Sequence, residues 1–454
     1  MKRAAVLGFL LLLPLAAQAV NYTLVPAEPV KICPLNSLNE LDVYLTNLEA
    51  TDQDFMLIKS QDLPSWNWQA SICVNGLCYA PFFDTIQVTV AAGDRDTIGV
   101  WISAYVDQGS GEALLRVYPM SEPANEKTQV FAAITNGVDV LVVDDDGGET
   151  YQSYYTGALP GGLIHGRWPR IAQAPTAANL SEFDEVIWFT GEADPSLDAS
   201  DRAAISTFLN SGGKLFLSGQ NIAYSLCDAG SPEYSAAARD FVEEYLASVY
   251  VSNNSGSTSV DGIPKSLGQG LSFSIAGGAS NQSSPDVVRP GTNFSGKTGV
   301  SCFAYTGVAD AAGIQSFGGG ARVVFLSFGL EGITSLTTRQ AILQRAFDFF
   351  DAVVGVEGGV IPRREVLSAN RPNPFNPSTS LVMRLDKASA GSVSVFDAGG
   401  RLVRTLSGGV LPAGETEIVW DGTDDRGSPV RSGVYFVRLD AGDQTLARKV
   451  SLVR

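Results

Sequence analysis

The hydrophobic period of this chain changes twice, and those changes limit the fold more than any single motif does. From about residue 21 to 136 the apolar residues alternate: Leu41, Val43 and Leu45 in "ELDVYLTNL", Ile86, Val88 and Val90 in "DTIQVTVAAG", Ile98, Val100 and Ile102 in "DTIGVWISAYV". A period of two, broken by Gly, Pro, Asn and Asp clusters, sends one side of each strand into a core and predicts an antiparallel β-sandwich over 20–136. At "GVDVLVVDDDGG" the alternation stops. Val138 to Val143 is almost continuously apolar and runs into Asp144, Asp145 and Asp146, as in a strand covered on both faces of a parallel sheet. "DEVIWFTG", "KLFLSG" and "ARVVFLSFG" repeat that form, and "LDASDRAAISTFLNSGG", "RDFVEEYLASVYV" and "TTRQAILQRAFDFFDA" carry helical spacing between or after them. Asp198, with Asp201 three residues on, predicts a capped helix start. Strands alternating with helices predict an open, mostly parallel α/β sheet over 137–352, with any ligand at the carboxyl ends of its strands. Within it, Ser252 to Gly320 is rich in Gly and Ser and reads as loops with short strands. A Gly- and Pro-rich linker covers 353–370, and 371–454 returns to alternation, predicting a second, smaller β-sandwich.

The chain opens "MKRAAVLGFLLLLPLAAQAV": two cations, an apolar run and Ala17-Gln18-Ala19, the form of a cleaved secretory signal over 1–19. The run is short for a bilayer span, no Cys follows it, and no later apolar run is long enough to cross a membrane. Without Lys2 and Arg3, 29 basic residues face 48 acidic ones, a formal charge of −19. Such a surface repels phosphate backbones, so nucleic acid is not an expected partner.

Five cysteines in an exported chain point to disulfides. Cys73 and Cys78 bracket "VNGL", and Asn75-Gly76 is a two-residue hairpin turn. That turn makes Val74 and Leu77 the hydrogen-bonded pair and leaves Cys73 opposite Cys78, with Cα atoms roughly 4.5 Å apart. A zinc site is the alternative reading of a close Cys pair, but there is one histidine and no second such pair. Cys227 and Cys302 are the candidates for a second bridge, leaving Cys33 odd.

The last segment carries a resemblance. "RPNPFNPSTSL", "VSVFDAGGRLVRTL" and "LPAGETEIVWDGTDDRGSPVRSGVYFVRL" resemble the FlgD-type Ig-like domain and the similar C-terminal sorting domains of type IX secretion substrates. The resemblance implies a delivery or attachment module over 371–454, with secretion or cell-envelope machinery as its partner. "VLVVDDDGGETYQSYYTGALPGG" through "VIWFTGEAD" to "LFLSGQNIAYSL" resembles the class I glutamine amidotransferase-like domains of secreted multidomain proteins, which implies a doubly wound, flavodoxin-like middle domain. Active members of that superfamily place a nucleophilic Cys at the strand-to-helix corner, with a His and an acid. In this chain the corner reads Ser218-Gly219-Gln220-Asn221 and holds no thiol.

The remaining chemistry can be weighed residue by residue. Ser218 is the nearest hydroxyl, the single histidine is His165, and Asp144 would have to orient it. Cys227 lies beside Asp228, which disfavours a thiolate. Asp144, Asp145 and Asp146 could bind a divalent ion or a sugar's hydroxyls, or one could point at a helix N-terminus while Gly147-Gly148 make the turn, and Gln220 and Asn221 could hydrogen-bond a ligand or close the corner. Asp421, Asp424 and Asp425 have calcium-like spacing without the closing Glu, and an Asp/Gly hairpin explains them equally. Tyr151, Tyr154, Tyr155 and Trp168 would favour sugar stacking if exposed. The expectation is an exported or cell-surface, non-catalytic binding or scaffold protein, without cofactor or metal, whose ligand is unknown, with carbohydrate and peptide as its candidate classes. The alternatives are a secreted hydrolase using Ser218 or Cys227 and a carbohydrate-binding accessory protein.

Overall fold

The computed structural model describes residues 19–280, 282–294, 296–352, 366–367, 370, 372–385, 388–412, 414–442 and 444–454. All but the last residue of the expected signal, and most of the 353–370 linker, lie outside the described residues. The chain divides into two compact units, one running to Asp144 and including Ile164–Pro175, the other made of Asp145–Leu163 and Thr176–Arg454.

The first unit contains the expected sandwich. One sheet orders β1 (Tyr22–Pro26), β3 (Ser37–Asn47), β8 (Arg95–Ala104), β5 (Trp68–Val74) and β6 (Leu77–Cys78) as β1-β3-β8-β5-β6. The other orders β2 (Val30–Cys33), β4 (Gln53–Asp62), β7 (Thr85–Val90), β9 (Ser110–Pro119) and β10 (Lys127–Thr135) as β2-β10-β9-β4-β7. The period-two residues meet between the sheets: Leu41, Val43, Leu45, Phe55, Leu57, Ile98, Val100 and Ile102 are fully buried. Each such side chain contributes about 1.5–3 kcal/mol relative to exposure, which is why the alternation sets the register.

The hairpin forms as its turn dictates. Asn75 and Gly76 take positive φ of 50° and 82°, Val74 pairs with Leu77, and Cys73 faces Cys78. The two cysteines are joined in a disulfide with Cα atoms 3.9 Å apart. The expected boundary after residue 136 differs from the observed one, because β11 (Val140–Asp144) and β12 (His165–Pro169) group with the sandwich. They form a parallel pair from Val140 opposite His165 to Asp144 opposite Pro169. Arg167 ties β12 to the sandwich, its N–H donating to Ser110 Oγ at 2.8 Å and its guanidinium pairing with Glu112 and Asp62.

In the second unit, β13 (Glu185–Gly191), β14 (Lys214–Gly219) and β22 (Ala321–Leu326) are parallel neighbours. The sheet then turns antiparallel through β21 (Ala311–Gly318), β20 (Lys297–Tyr305), β16 (Ser259–Gly262) and β17 (Ser272–Ser274). The sheet here is therefore mixed, which corrects the mostly parallel reading. Ser252 to Gly320 holds full strands, whose Phe303, Tyr305, Ala312 and Ile314 are buried. A further pair joins β15 (Ser248–Ser252) to β18 (Val287–Pro290), and β19 (Thr292–Phe294) pairs with β20.

The helices of this unit are α1 (Gln152–Thr156), α2 (Ala177–Leu180), α3 (Ala199–Asn210), α4 (Ile222–Cys227), α5 (Ala236–Glu244) and α6 (Leu336–Asp351). Asp198 caps α3 by accepting from Ser200 and Asp201 N–H, and the Asp201 side chain accepts from Asp198 N–H, as the sequence predicted. The "RDFVEEYLASVYV" helix stops earlier than its spacing predicts. Ala247 has φ 49°, and the β-branched residues beyond it enter β15.

The C-terminal segment has its own core. β23 (Val366–Leu367), β24 (Thr379–Leu385) and β27 (Gly414–Trp420) form one sheet. β26 (Leu402–Leu411), β25 (Ser389–Asp397), β28 (Gly433–Ala441) and β29 (Gln444–Leu452) form the other. Phe375, Trp420, Val395, Val437 and Val450 pack between them.

The Cys73–Cys78 bridge closes a short loop, for which chain entropy gives about 2 kcal/mol. A Cys73→Ser, Cys78→Ser variant is expected to lose that much in urea unfolding followed by fluorescence, with the rest of the sandwich intact.

Candidate functional site

The corner after β14 holds the Ser218-Gly219-Gln220-Asn221 stretch that the sequence singled out, so the geometry is built from there. Gly219 is required by close approach: a Cβ on it would sit 2.0 Å from Thr190 Oγ1. Ser218, just before it, is fully buried, and its hydroxyl donates to the Phe328 carbonyl at 2.9 Å. Tyr155, on α1, stacks on Phe189 at 4.1 Å and brings its hydroxyl 3.1 Å from Ser218 Oγ. The same tyrosine donates to Glu331 Oε2 at 2.7 Å.

Glu331 is the residue that sequence reasoning missed. It lies in the short 3₁₀ turn Leu330–Gly332 and is fully buried. Gln282 Nε2 donates to its Oε1 at 3.1 Å and to Ser280 Oγ at 3.0 Å, while Gln282 Oε1 accepts from Gly329 N–H at 2.8 Å. A Cβ on Gly329 would fall 1.6 Å from Glu331 Oε1, so the backbone itself walls the carboxyl in. Burial is the main cause that pushes the Glu331 carboxyl up to about 7, against the lowering effect of the Tyr155 hydrogen bond. Burial raises the Tyr155 hydroxyl well above the usual range, so it is not a base. With Glu331 ionised, its oxygens, Tyr155 and Ser218 share two hydroxyl protons; with Glu331 protonated, the line to the Phe328 carbonyl has a donor for every link. No signal in "FGLEGITS" marks this carboxylate, since its partners come from residues 155 and 282.

The other expected site residues are placed as follows. Gln220 is buried, with Oε1 accepting from Ser284 N–H at 3.1 Å and its carbonyl accepting from Asp286 N–H. Asn221 Nδ2 donates to the Glu192 carbonyl at 2.9 Å. Both close the corner. Asp145 Oδ2 accepts from Trp188 Nε1 at 2.9 Å. Asp146 accepts from Gly148 and Tyr151 N–H, so it caps the turn into α1. Asp144 ends β11, opposite Pro169, whereas His165 begins β12 opposite Val140. Four residues of ladder, roughly 13 Å, therefore separate Asp144 from His165, and the pairing needed for a Ser218–His165–Asp144 triad does not form. Burial, with Arg167 adding to it, lowers the His165 imidazole from its usual value.

The second disulfide is corrected: Cys33, Cys227 and Cys302 are free thiols. Cys302 is fully buried on β20, its Sγ packed toward Gly313, while Cys227 ends α4. Burial first, then Glu243 and Asp286, pushes the Cys227 thiol up to about 12, which removes the thiolate a hydrolase would need. The sugar platform is corrected too, since Tyr155 and Trp168 are wholly buried, Tyr151 nearly so, and Tyr154 lies under the Arg339 guanidinium at 4.4 Å. In the C-terminal segment Asp421 pairs with Arg404, Asp424 accepts from Arg426 and Ser428 N–H, and Asp425 from Thr405 N–H, so the tight-turn reading accounts for all three. Among the described residues no three His, Cys, Asp or Glu side chains gather where they could hold a metal ion.

These features define a mostly β, multidomain protein that closes with an Ig-like sandwich. Residues 376–444 match the FlgD Ig-like domain family. Among solved structures, the chain is similar to the N-terminal domain of PorA at 14% identity, over 26% of this chain and 98% of that one, with a TM-score of 0.21. It is similar to PorZ, an essential bacterial surface component of the type-IX secretion system of Porphyromonas gingivalis, at 24% identity over 19% of this chain and 11% of that one, TM-score 0.15. FlgD from P. aeruginosa matches at 22% identity over 19% of this chain and 69% of that one, TM-score 0.15. No curated protein matches.

Two outcomes follow from this geometry. Alkylation of the unfolded, unreduced chain is expected to add three labels, on Cys33, Cys227 and Cys302, and a single label would restore the second bridge. Glu331 holds a proton in the folded chain at pH values where an unfolded glutamate, titrating near 4.3, has lost it. Stability is therefore expected to fall by roughly 3 kcal/mol between about pH 5 and 8 on its account, and Glu331→Gln flattens that slope whatever its effect on the overall level. Urea unfolding across this range measures it.

Proposed function

We propose that this chain is an exported, surface- or secretion-associated protein that binds or scaffolds rather than catalyses, delivered or attached through its C-terminal domain. The observation that carries the reading is the match of residues 376–444 to the FlgD Ig-like domain, in a segment that forms a sandwich with its own core. The signal-like start of the sequence supports export. Charge also sets the module apart: residues 371–454 hold 11 basic and 9 acidic side chains out of the chain's 31 and 48. Secretion or cell-envelope machinery is the proposed partner of that module.

The middle domain is proposed to be a degenerate amidotransferase-like domain. Support comes from the strand, glycine and helix at the corner, where Gln220 and Asn221 stand in place of a thiol. The Ser218 proton is spent on the Phe328 carbonyl, which is the reason the hydrolase reading has no observation in its favour. A carbohydrate or peptide remains the proposed ligand class.

The test is to express the chain in its host with and without residues 371–454 and to follow it by cell fractionation and intact mass. The full chain is expected at the surface or in the medium, with the deletion held in the periplasm. An unchanged distribution would overturn the delivery role.

A further inference from the structure

The edge strand β7 has a feature that the delivery reading leaves unused. It is the last strand of its sheet, paired on one side with β4. Lys59 N–H donates to the Asp84 carbonyl, so in the antiparallel ladder the residues two apart from Asp84, namely Ile86, Val88 and Val90, also exchange bonds with β4. The backbone N–H and C=O groups of Thr85, Gln87 and Thr89 then point away from the sheet. The other side of β4 agrees: Met120 N–H donates to the Asp54 carbonyl, which assigns Asp54, Met56 and Ile58 to β9. Thr85, Gln87 and Thr89 are exposed, and their ladder with β4 runs without a bulge.

Open edges are normally blunted by charge, proline, bulges or shortness. Other edges of this chain show those devices: β1 ends on Pro26, β2 has four residues including Lys31, and β6 has two. In the C-terminal sandwich β26 holds Arg404, β27 Glu415 and Glu417, and β29 Arg448 and Lys449. The β7 sequence, "TIQVTV", has no charge and no proline. In a chain of net charge −17, this is a neutral strip where two like-charged copies can approach.

The strip is also self-complementary. A two-fold axis at Gln87 sets Gln87 against Gln87 and Thr85 against Thr89 of the second copy. All three outward residues then fall in hydrogen-bonded pairs, each exchanging two bonds. Ile86 comes opposite Val88, continuing the apolar face of the sheet. In the same register the exposed Phe82 and Phe83 lie beside Ala92 and Ala91 of the second copy, where small side chains leave room for the rings.

We infer that β7 is a homodimer interface, pairing antiparallel with β7 of a second copy of this chain to form one continuous ten-stranded sheet from two sheets of five. The contact is isologous and closes on itself, which stops further growth at that edge.

Light scattering of the full chain across a range of micromolar concentrations tests it. The expected mass is twice that of the 48.0 kDa chain, less any removed signal. Gln87→Pro removes an outward N–H, and Gln87→Lys places like charges face to face at the axis, so both variants are expected to scatter as monomers. Far-UV circular dichroism confirms that each is folded, and the lysine variant decides the matter if proline disturbs the strand. A wild-type chain that stays monomeric, or a dimer that survives Gln87→Lys, overturns the proposal.

Discussion

The second unit is organised by a buried carboxylate, Glu331, that has no cation against it among the described residues. Removing an ionised carboxylate from water costs several kcal/mol unless its environment replaces the lost hydration. The partners of Glu331 are the neutral hydroxyl of Tyr155 and the amide of Gln282. Those donors work only if α1, the loop carrying Gln282 and the turn after β22 are all held in place. Tyr155 is fixed by stacking on Phe189, and Gln282 by the Gly329 N–H that it accepts. The corner after β14 is thereby committed to internal contacts, because Ser218 is drawn into the same line of hydrogen bonds.

How far the sequence could be read depended on the range of the interaction. Leu41, Val43 and Leu45 announced their strand because alternation is local, and the strand lies where it was expected. Cys73, Asn75-Gly76 and Cys78 announced their bridge because six consecutive residues contain the whole device. Asp198 and Asp201 did the same for the start of α3. The pairing of Cys227 with Cys302 failed for the opposite reason: it rested on parity in a count of cysteines, and the packing that keeps Cys302 within β20 leaves no trace in the spacing. Glycine and serine between residues 252 and 320 concealed β20 and β21, whose apolar residues are spread among small ones. Glu331 was illegible because its partners are 176 and 49 residues away.

The C-terminal sandwich shows the other extreme. Its core of Phe375, Trp420, Tyr435 and the strand valines is complete within the segment, and its aspartates are consumed by turns and by Arg404. A domain with a closed core and satisfied loops can be joined to another through a Gly- and Pro-rich stretch without either losing its fold.

The hairpin bridge ties the first unit to the chemistry of its surroundings. Where thiols are kept reduced, Cys73 and Cys78 stay apart and β6, two residues long, is left to the turn alone. A newly made chain in such a compartment is less tightly closed at that edge than one that has reached an oxidising space. The bridge therefore makes the stability of this one hairpin depend on the redox state around it, while the core residues behind it do not.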